Sequence, residues 1–187
     1  WHSAQTVTVT GANDNIIDGT VTSTLTASIV DASSNDSFDS VADQTVSVTT
    51  ADNDVAGFTI TQTGGSTSVS ESGTTDTFTI VLNAQPASDV VLTVTSGDTG
   101  EATVNTPLTF TSGNWNSAQT VTVTGVNDNI IDGTITSTIT VAVNDGNSDN
   151  NFDPVADQTV SVATTDNDVA GFTITQSGGA TSVAESG

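Results

Sequence analysis

Most of this chain alternates apolar and polar residues with a period of two. In AGFTITQ (56–62), Phe58 and Ile60 fall on one face and Thr59 and Thr61 on the other. TDTFTIVLN (75–83) aligns Phe78, Ile80 and Leu82; DVVLTVTS (89–96) aligns Val90, Leu92 and Val94. SAQTVTVTG (117–125) sets Val121 and Val123 together, TITSTITVAV (134–143) sets Ile135, Ile139, Val141 and Val143, and QTVSVATT (158–165) sets Val160 and Val162. β-Branched residues in this rhythm predict half-buried antiparallel strands, and no stretch carries a helical period. Shorter strands are expected at EATVN (101–105) and PLTFT (107–111). About seven strands separated by Gly, Asn and Asp turns predict an all-β, Greek-key, immunoglobulin-like antiparallel sandwich.

The pattern then repeats after 114 residues. Residues 1–73 laid on 115–187 match at 54 of 73 positions without a gap. A period this long is a domain and not a solenoid unit, so the expected architecture is a tandem array of sandwiches. Residues 55–168 are expected to be one complete repeat. Residues 1–54 then read as the second half of a preceding repeat, and residues 169–187 as the start of the next. Linkers are nearly absent, with Gly171 as the obvious hinge.

Composition sharpens this. The chain has no Lys and no Arg against 22 acids, for a formal charge of −22. Thirteen of those acids lie in 55–168. No internal ion pair can relieve their repulsion, so either the chain is disordered or bound cations supply the missing charge. The strict alternation favours a folded chain with cations. Nucleic acid and anionic membranes are excluded as partners, because nothing here neutralises phosphate. No apolar run is long enough to span a bilayer, and no signal peptide is present, as expected of an internal window. With no Cys and no Lys, neither a disulfide nor a Lys–Asn isopeptide bridge can staple the fold, which leaves metal ions as the cross-link.

The acids cluster where strands end: Glu71, then Asp98 and Glu101 in SGDTGEA, Asp128 and Asp132 in NDNIID, and Asp166 and Asp168 in TDND. Ca²⁺ takes six to eight oxygens and mixes carboxylates with amide and backbone carbonyls, a supply these loops hold. The competing reading is that Asp and Asn simply make turns. Mg²⁺ rarely receives an all-protein cage, and Zn²⁺ is disfavoured by the lack of Cys and the single His.

LTFTSGNWNSAQTVTVTGVNDNIIDGT (108–134), followed by a closing TTDND (164–168), resembles the Calx-beta domain, in particular the tandem copies in large bacterial surface proteins. That family shows a Glu soon after the first strand, a Phe-containing strand, a Gly, a TVTV strand, an acidic loop and a terminal acidic triplet. The resemblance implies that Glu71, Asp98, Asp128, Asp132, Asp166 and Asp168 are Ca²⁺ ligands at the end where the chain leaves the sandwich. The repeat equivalents are Asp14, Asp18, Asp52, Asp54 and Glu185. Two departures imply fewer or weaker ions: Asn129 and Asn167 interrupt the usual runs of acids, and Asp132 stands where Glu is common.

A second acidic loop, NDGNSDNNFDPVAD (144–157), overlaps the most variable stretch of the repeat, since ten of the 19 differences between the copies fall in residues 27–40 and their equivalents. Such shuffling predicts a solvated loop, with Phe152 and Phe38 plugging the sandwich edge beneath it. Trp115 and Trp1 read as edge anchors more readily than as sugar platforms, and His2 carries no evident role. The expected function is structural: a calcium-stiffened repeat of an adhesin stalk or fibre at the cell surface. Its partners would be neighbouring repeats and other copies in a fibre, with surface glycan a candidate. The alternative is a ligand-binding module, either a calcium sensor or a carbohydrate binder. Catalysis fits poorly, because the repeat 55–168 has no His, Cys, Lys, Arg or Tyr for acid–base work. With ~3.3 Å rise per residue, strands of about 8–10 residues plus loops predict an axial advance of roughly 35–45 Å per repeat. Electron microscopy of calcium-loaded arrays should show slender rods with that repeat; beads joined at random angles would refute it.

Overall fold

The structure, a computed structural model, describes residues 3–186; Trp1 and His2 lie outside that range. Among the described residues eleven strands are formed. β1 (Val21–Ala27) and β2 (Gln44–Thr50) come first. They are followed by β3 (Phe58–Gln62), β4 (Thr67–Ser70), β5 (Thr75–Leu82), β6 (Val90–Ser96) and β7 (Ala102–Val104). β8 (Leu108–Phe110), β9 (Gln119–Gly125), β10 (Ile135–Val143) and β11 (Gln158–Thr165) complete the set. β3 to β11 build a two-sheet sandwich, with order β4-β11-β10-β6-β8 in one sheet and β3-β5-β9-β7 in the other. The fold is therefore the expected all-β, immunoglobulin-like sandwich.

The alternating apolar positions become the core. Phe78, Ile80, Leu92, Val94, Phe110, Val121, Val123, Ile139, Val141 and Val162 are all fully buried between the two sheets. The odd-even phase of each strand decides which residues enter, since successive side chains point to opposite faces. One element differs from the alternation. β4 is not among the expected strands, and it pairs in parallel with β11, Val69 opposite Thr164, while every other pairing between these strands is antiparallel. Its four residues TSVS carry too little apolar signal to stand out. Its order comes from its neighbour.

β1 and β2 are the repeat equivalents of β10 and β11, and they pair in the same register: Val21 faces Thr50 as Ile135 faces Thr164. This hairpin lacks the rest of a sandwich. Val7, Val9, Leu25 and Val46 border an open hollow of about 320 Å³, whereas their equivalents Val121, Val123, Ile139 and Val160 are buried.

The loop between β10 and β11 departs from the sequence reading. It is not freely solvated: Asp149 is buried and its Oδ2 accepts from the backbone N–H of Ala87 (2.7 Å) and Ser88 (3.0 Å). Phe152 beneath it is fully buried, as expected, but Phe38 at the same repeat position is 56% exposed. Trp115 packs against the core edge and its carbonyl accepts from Leu82 N–H. Phe152→Ala should therefore cost about 3–5 kcal/mol, while Phe38→Ala should change the main unfolding transition by less than about 0.5 kcal/mol. Chemical denaturation of the two variants checks this.

Candidate metal centre

Strand pairing carries the acids to one end of the sandwich. The parallel β4–β11 pair sets Glu71, just past β4, beside the residues that follow β11: Glu71 N–H donates to Thr165 O (3.1 Å), and Asn167 N–H donates to Glu71 Oε2 (3.3 Å). The β7–β9 pair sets Glu101, just before β7, beside the residues that follow β9, and Val126 N–H donates to Glu101 O (2.8 Å). The β10–β11 pair brings the loop before β10 to Asp166. Its Oδ2 accepts from the N–H of Asp132 (3.1 Å) and Gly133 (2.9 Å), and its Oδ1 from Asp168 N–H (2.6 Å). Gly125 lets this end close, because a Cβ there would run into the Ser70 backbone at the end of β4.

Two overlapping groups result. Glu71, Glu101 and Asp128 each offer a carboxylate oxygen, and these oxygens lie within 4.8 Å of one another; so do those of Glu71, Asp132 and Asp166. Glu71 and Glu101 are buried, at 1% and 6% exposure. Glu101 Oε2 and Asp168 Oδ2 are also buried, and among the described residues neither has a hydrogen-bond partner. Buried carboxylates without partners are costly, and this chain has no Lys or Arg to compensate. An all-oxygen donor set of this kind suits a hard divalent cation and is compatible with Ca²⁺.

Electrostatics divides the acids into two kinds. Burial pushes the Glu71 carboxyl up, and the charges of Asp166, Asp128 and Asp132 add to this against the opposing Asn167 N–H. Burial likewise raises Glu101, followed by the charges of Asp132, Glu71, Asp128 and Asp98. Asp166 is held below the ordinary value by the N–H groups of Asp168, Gly133 and Asp132. Asp166 is thus the anchored anion of the group, and the two Glu are the strained ones.

Of the residues expected from the sequence, Glu71, Asp128, Asp132 and Asp166 are brought together, with Asp168 bonded to Asp166. Asp98 joins neither group; its Oδ1 accepts from Gly100 N–H (3.0 Å) and closes a turn. Glu101 takes the place beside Glu71. The D-x-G spacing of Asp98 and Gly100 was the available signal, since it marks an Asx turn whose carboxylate serves its own backbone. In the preceding copy Asp14, Asp18, Asp52 and Asp54 border a single hollow of about 210 Å³. Asp52 accepts from Gly19 (2.9 Å) and Asp54 (2.8 Å) N–H, as Asp166 does from Gly133 and Asp168. Burial and the charges of Asp52, Asp14 and Asp18 raise Asp54. Glu185 is exposed and apart from either group.

No protein-family model matches the chain, and no curated protein matches it. Among solved structures, domains 4 and 5 of the S-layer protein SbsC align over 67% of this chain at 27% identity with a TM-score of 0.42; the alignment spans about half of that structure, 54%. The apo-form Calx CBD1 domain aligns over 59% of this chain and 98% of its own length, at 13% identity and a TM-score of 0.42. The E. coli chaperone DraB aligns over 63% of this chain and 58% of its own, at 8% identity and a TM-score of 0.43.

The raised and lowered carboxyls set a pH dependence. A carboxyl whose folded value is raised binds protons more readily folded than unfolded, so stability falls as pH rises from its ordinary value of 4.5 through the folded one. Asp166 and Asp149 act oppositely, and their contribution is lost as pH falls from 3.8 through their depressed values. Metal-free protein should gain melting temperature on acidification from neutral pH, then lose it below about 3.8. Glu101→Gln should flatten the gain. Calorimetry across pH in chelator checks this, and an equal gain in the variant would assign the effect to diffuse charge.

Proposed function

We propose that this chain is part of a tandem array of β-sandwich repeats in an extracellular structural protein, each repeat stiffened by Ca²⁺ at its exit end. One observation carries the reading. Two buried Glu converge with Asp128, Asp132 and Asp166 at the point where the chain leaves the sandwich, in a protein with no Lys or Arg to neutralise them. Glu71, Glu101, Asp128, Asp132 and Asp166 would hold the ion, and the orphaned oxygen of Glu101 is an acceptor that it would satisfy. The cation would supply charge neutralisation and a cross-link between five strand ends; no bond is made or broken. Residues 55–168 form the complete repeat in this reading. The hairpin β1–β2 with its open apolar hollow belongs to the repeat before it, and residues 169–187 open the next. Among the described residues, no helix is long and apolar enough to cross a membrane.

Calcium should raise the melting temperature and excess chelator should lower it, with about 2.7 kcal/mol per ion when free Ca²⁺ stands ~100-fold above the dissociation constant. Asp128→Asn and Glu101→Gln should remove most of that gain. Asp89→Asn, outside the groups, should retain it. A melt indifferent to chelator would remove the ion from the reading.

A further inference from the structure

The loop that carries two of the acids also carries two adjacent isoleucines, and the two copies of this loop meet different fates. NDNIIDGT is identical at 13–20 and 127–134. In the later copy Ile130 and Ile131 are 60% and 58% exposed. In the earlier copy Ile17, the counterpart of Ile131, is half-buried and packs against the core of the sandwich that follows. The backbone is clamped on both sides of it. Gln85 N–H donates to Asn15 O at 2.7 Å, Ile16 forms a parallel bridge with Gln85, and Asn151 Nδ2 donates to Ile17 O at 3.2 Å. The receiving surface is itself rigid. Asp149 ties the 144–157 loop to Ala87 and Ser88 and also accepts from Asn151 N–H (3.0 Å), while Gln85 Nε2 donates to Ser112 O (3.0 Å).

The loop is equally tied at its own acids. Asp14 Oδ1 accepts from Ile16 N–H (3.0 Å), Asp18 N–H donates to Ile16 O (3.0 Å), and Gly19 N–H donates to Asp52 Oδ2 (2.9 Å). The acids of the loop therefore sit at its ends, in the carboxylate group of their own repeat. Its apolar middle enters the neighbour. The linker also loses freedom, because buried Gly57 accepts from Asn83 N–H (2.9 Å) through its carbonyl.

We propose that the Ile-Ile tip of each acidic loop is an inter-repeat plug, and that its partner is the entry end of the following repeat, at the Gln85 and Asn151 positions. Ile17 is the occupied plug of this chain, and Ile131 is the same plug without its partner. Relative motion is the default between domains with small polar interfaces; an apolar tip held by backbone hydrogen bonds on either side removes it. Resting on the calcium reading above, the plug also transmits ion binding to shape: a cation that orders Asp14 and Asp18 orders the residues between them, and so fixes the angle to the next repeat.

The chain has no Cys, so Ser47→Cys and Thr109→Cys, both exposed, place spin labels on the hairpin and on the sandwich. Pulsed electron-electron resonance on the 187-residue chain in saturating Ca²⁺ should give one narrow distance distribution. Ile17→Ser should roughly double its width by restoring inter-domain motion, and Asn151→Ser should broaden it to a lesser extent. Ile131→Ser, the same change at the repeat-equivalent position, should leave it narrow. Calcium titration calorimetry runs alongside on each variant. A narrow distribution in Ile17→Ser, with its melt intact, overturns the plug. If no variant or parent binds Ca²⁺, the calcium reading fails alone, and the comparison of Ile17→Ser with Ile131→Ser still decides the plug.

Discussion

Burial of carboxylates in a chain without a single Lys or Arg is the constraint on which this structure turns. Glu71 and Glu101 lie inside the exit end of the sandwich, and Asp128, Asp132 and Asp166 crowd around them. Water cannot solvate the buried pair, and no side chain can pair with it. Backbone N–H groups meet part of the demand, most fully at Asp166, which accepts three. Glu101 Oε2 is left with none. An end built in this way is costly as a bare set of anions.

That coupling follows from where the acids stand along the chain. They occupy the loops in which β4, β9 and β11 end and β7 and β10 begin, so whatever neutralises them ties both sheets together. One of them, in its earlier copy at 13–20, also touches the sandwich β3–β11. In NDNIIDGT the acids turn back into their own repeat while the isoleucines between them turn outward. One eight-residue segment thus brings acids to the carboxylate groups at 127–134 and, in its earlier copy, an isoleucine to the core of the sandwich. The near-absence of a linker after Asp54 fits this arrangement, since a longer connection would let the tip leave its seat.

Much of the fold was legible in the alternation, because burial on one face of a strand needs only a period of two. The residues that entered the core, Phe78, Ile80, Val121, Val123 and Ile139 among them, are those the pattern placed together. Strand β4 was not legible, since TSVS has one apolar residue and owes its order to β11. The site was legible as a set of loops but not in every ligand. Asp98 and Glu101 stand three residues apart, and the pattern could not tell which carboxylate turns inward. An Asx turn consumed Asp98, and the start of β7 aimed Glu101 into the group. Asp149 was misjudged for a related reason: variation between the copies suggested a solvated loop, yet its carboxylate holds the backbone of a distant turn, where Asn35 of the other copy caps only its own.

The repeat allows local sequence and tertiary context to be separated within one molecule. FTITQ is a strand at 58–62, paired with β5, and is not one at 172–176. QTVTVTG is a strand at 119–125 between β5 and β7, and is not one at 5–11. Identical residues therefore diverge where the 187 residues hold no counterpart of β5 for them to pair with. The hairpin β1–β2, whose partner is close, keeps the register of β10–β11 even with its apolar face open. By itself the sequence determined which residues would face inward and where the turns would fall. Tertiary structure alone decided which segments became strands and which carboxylates met, because a strand's hydrogen bonds and a buried acid's neighbours both come from other parts of the chain.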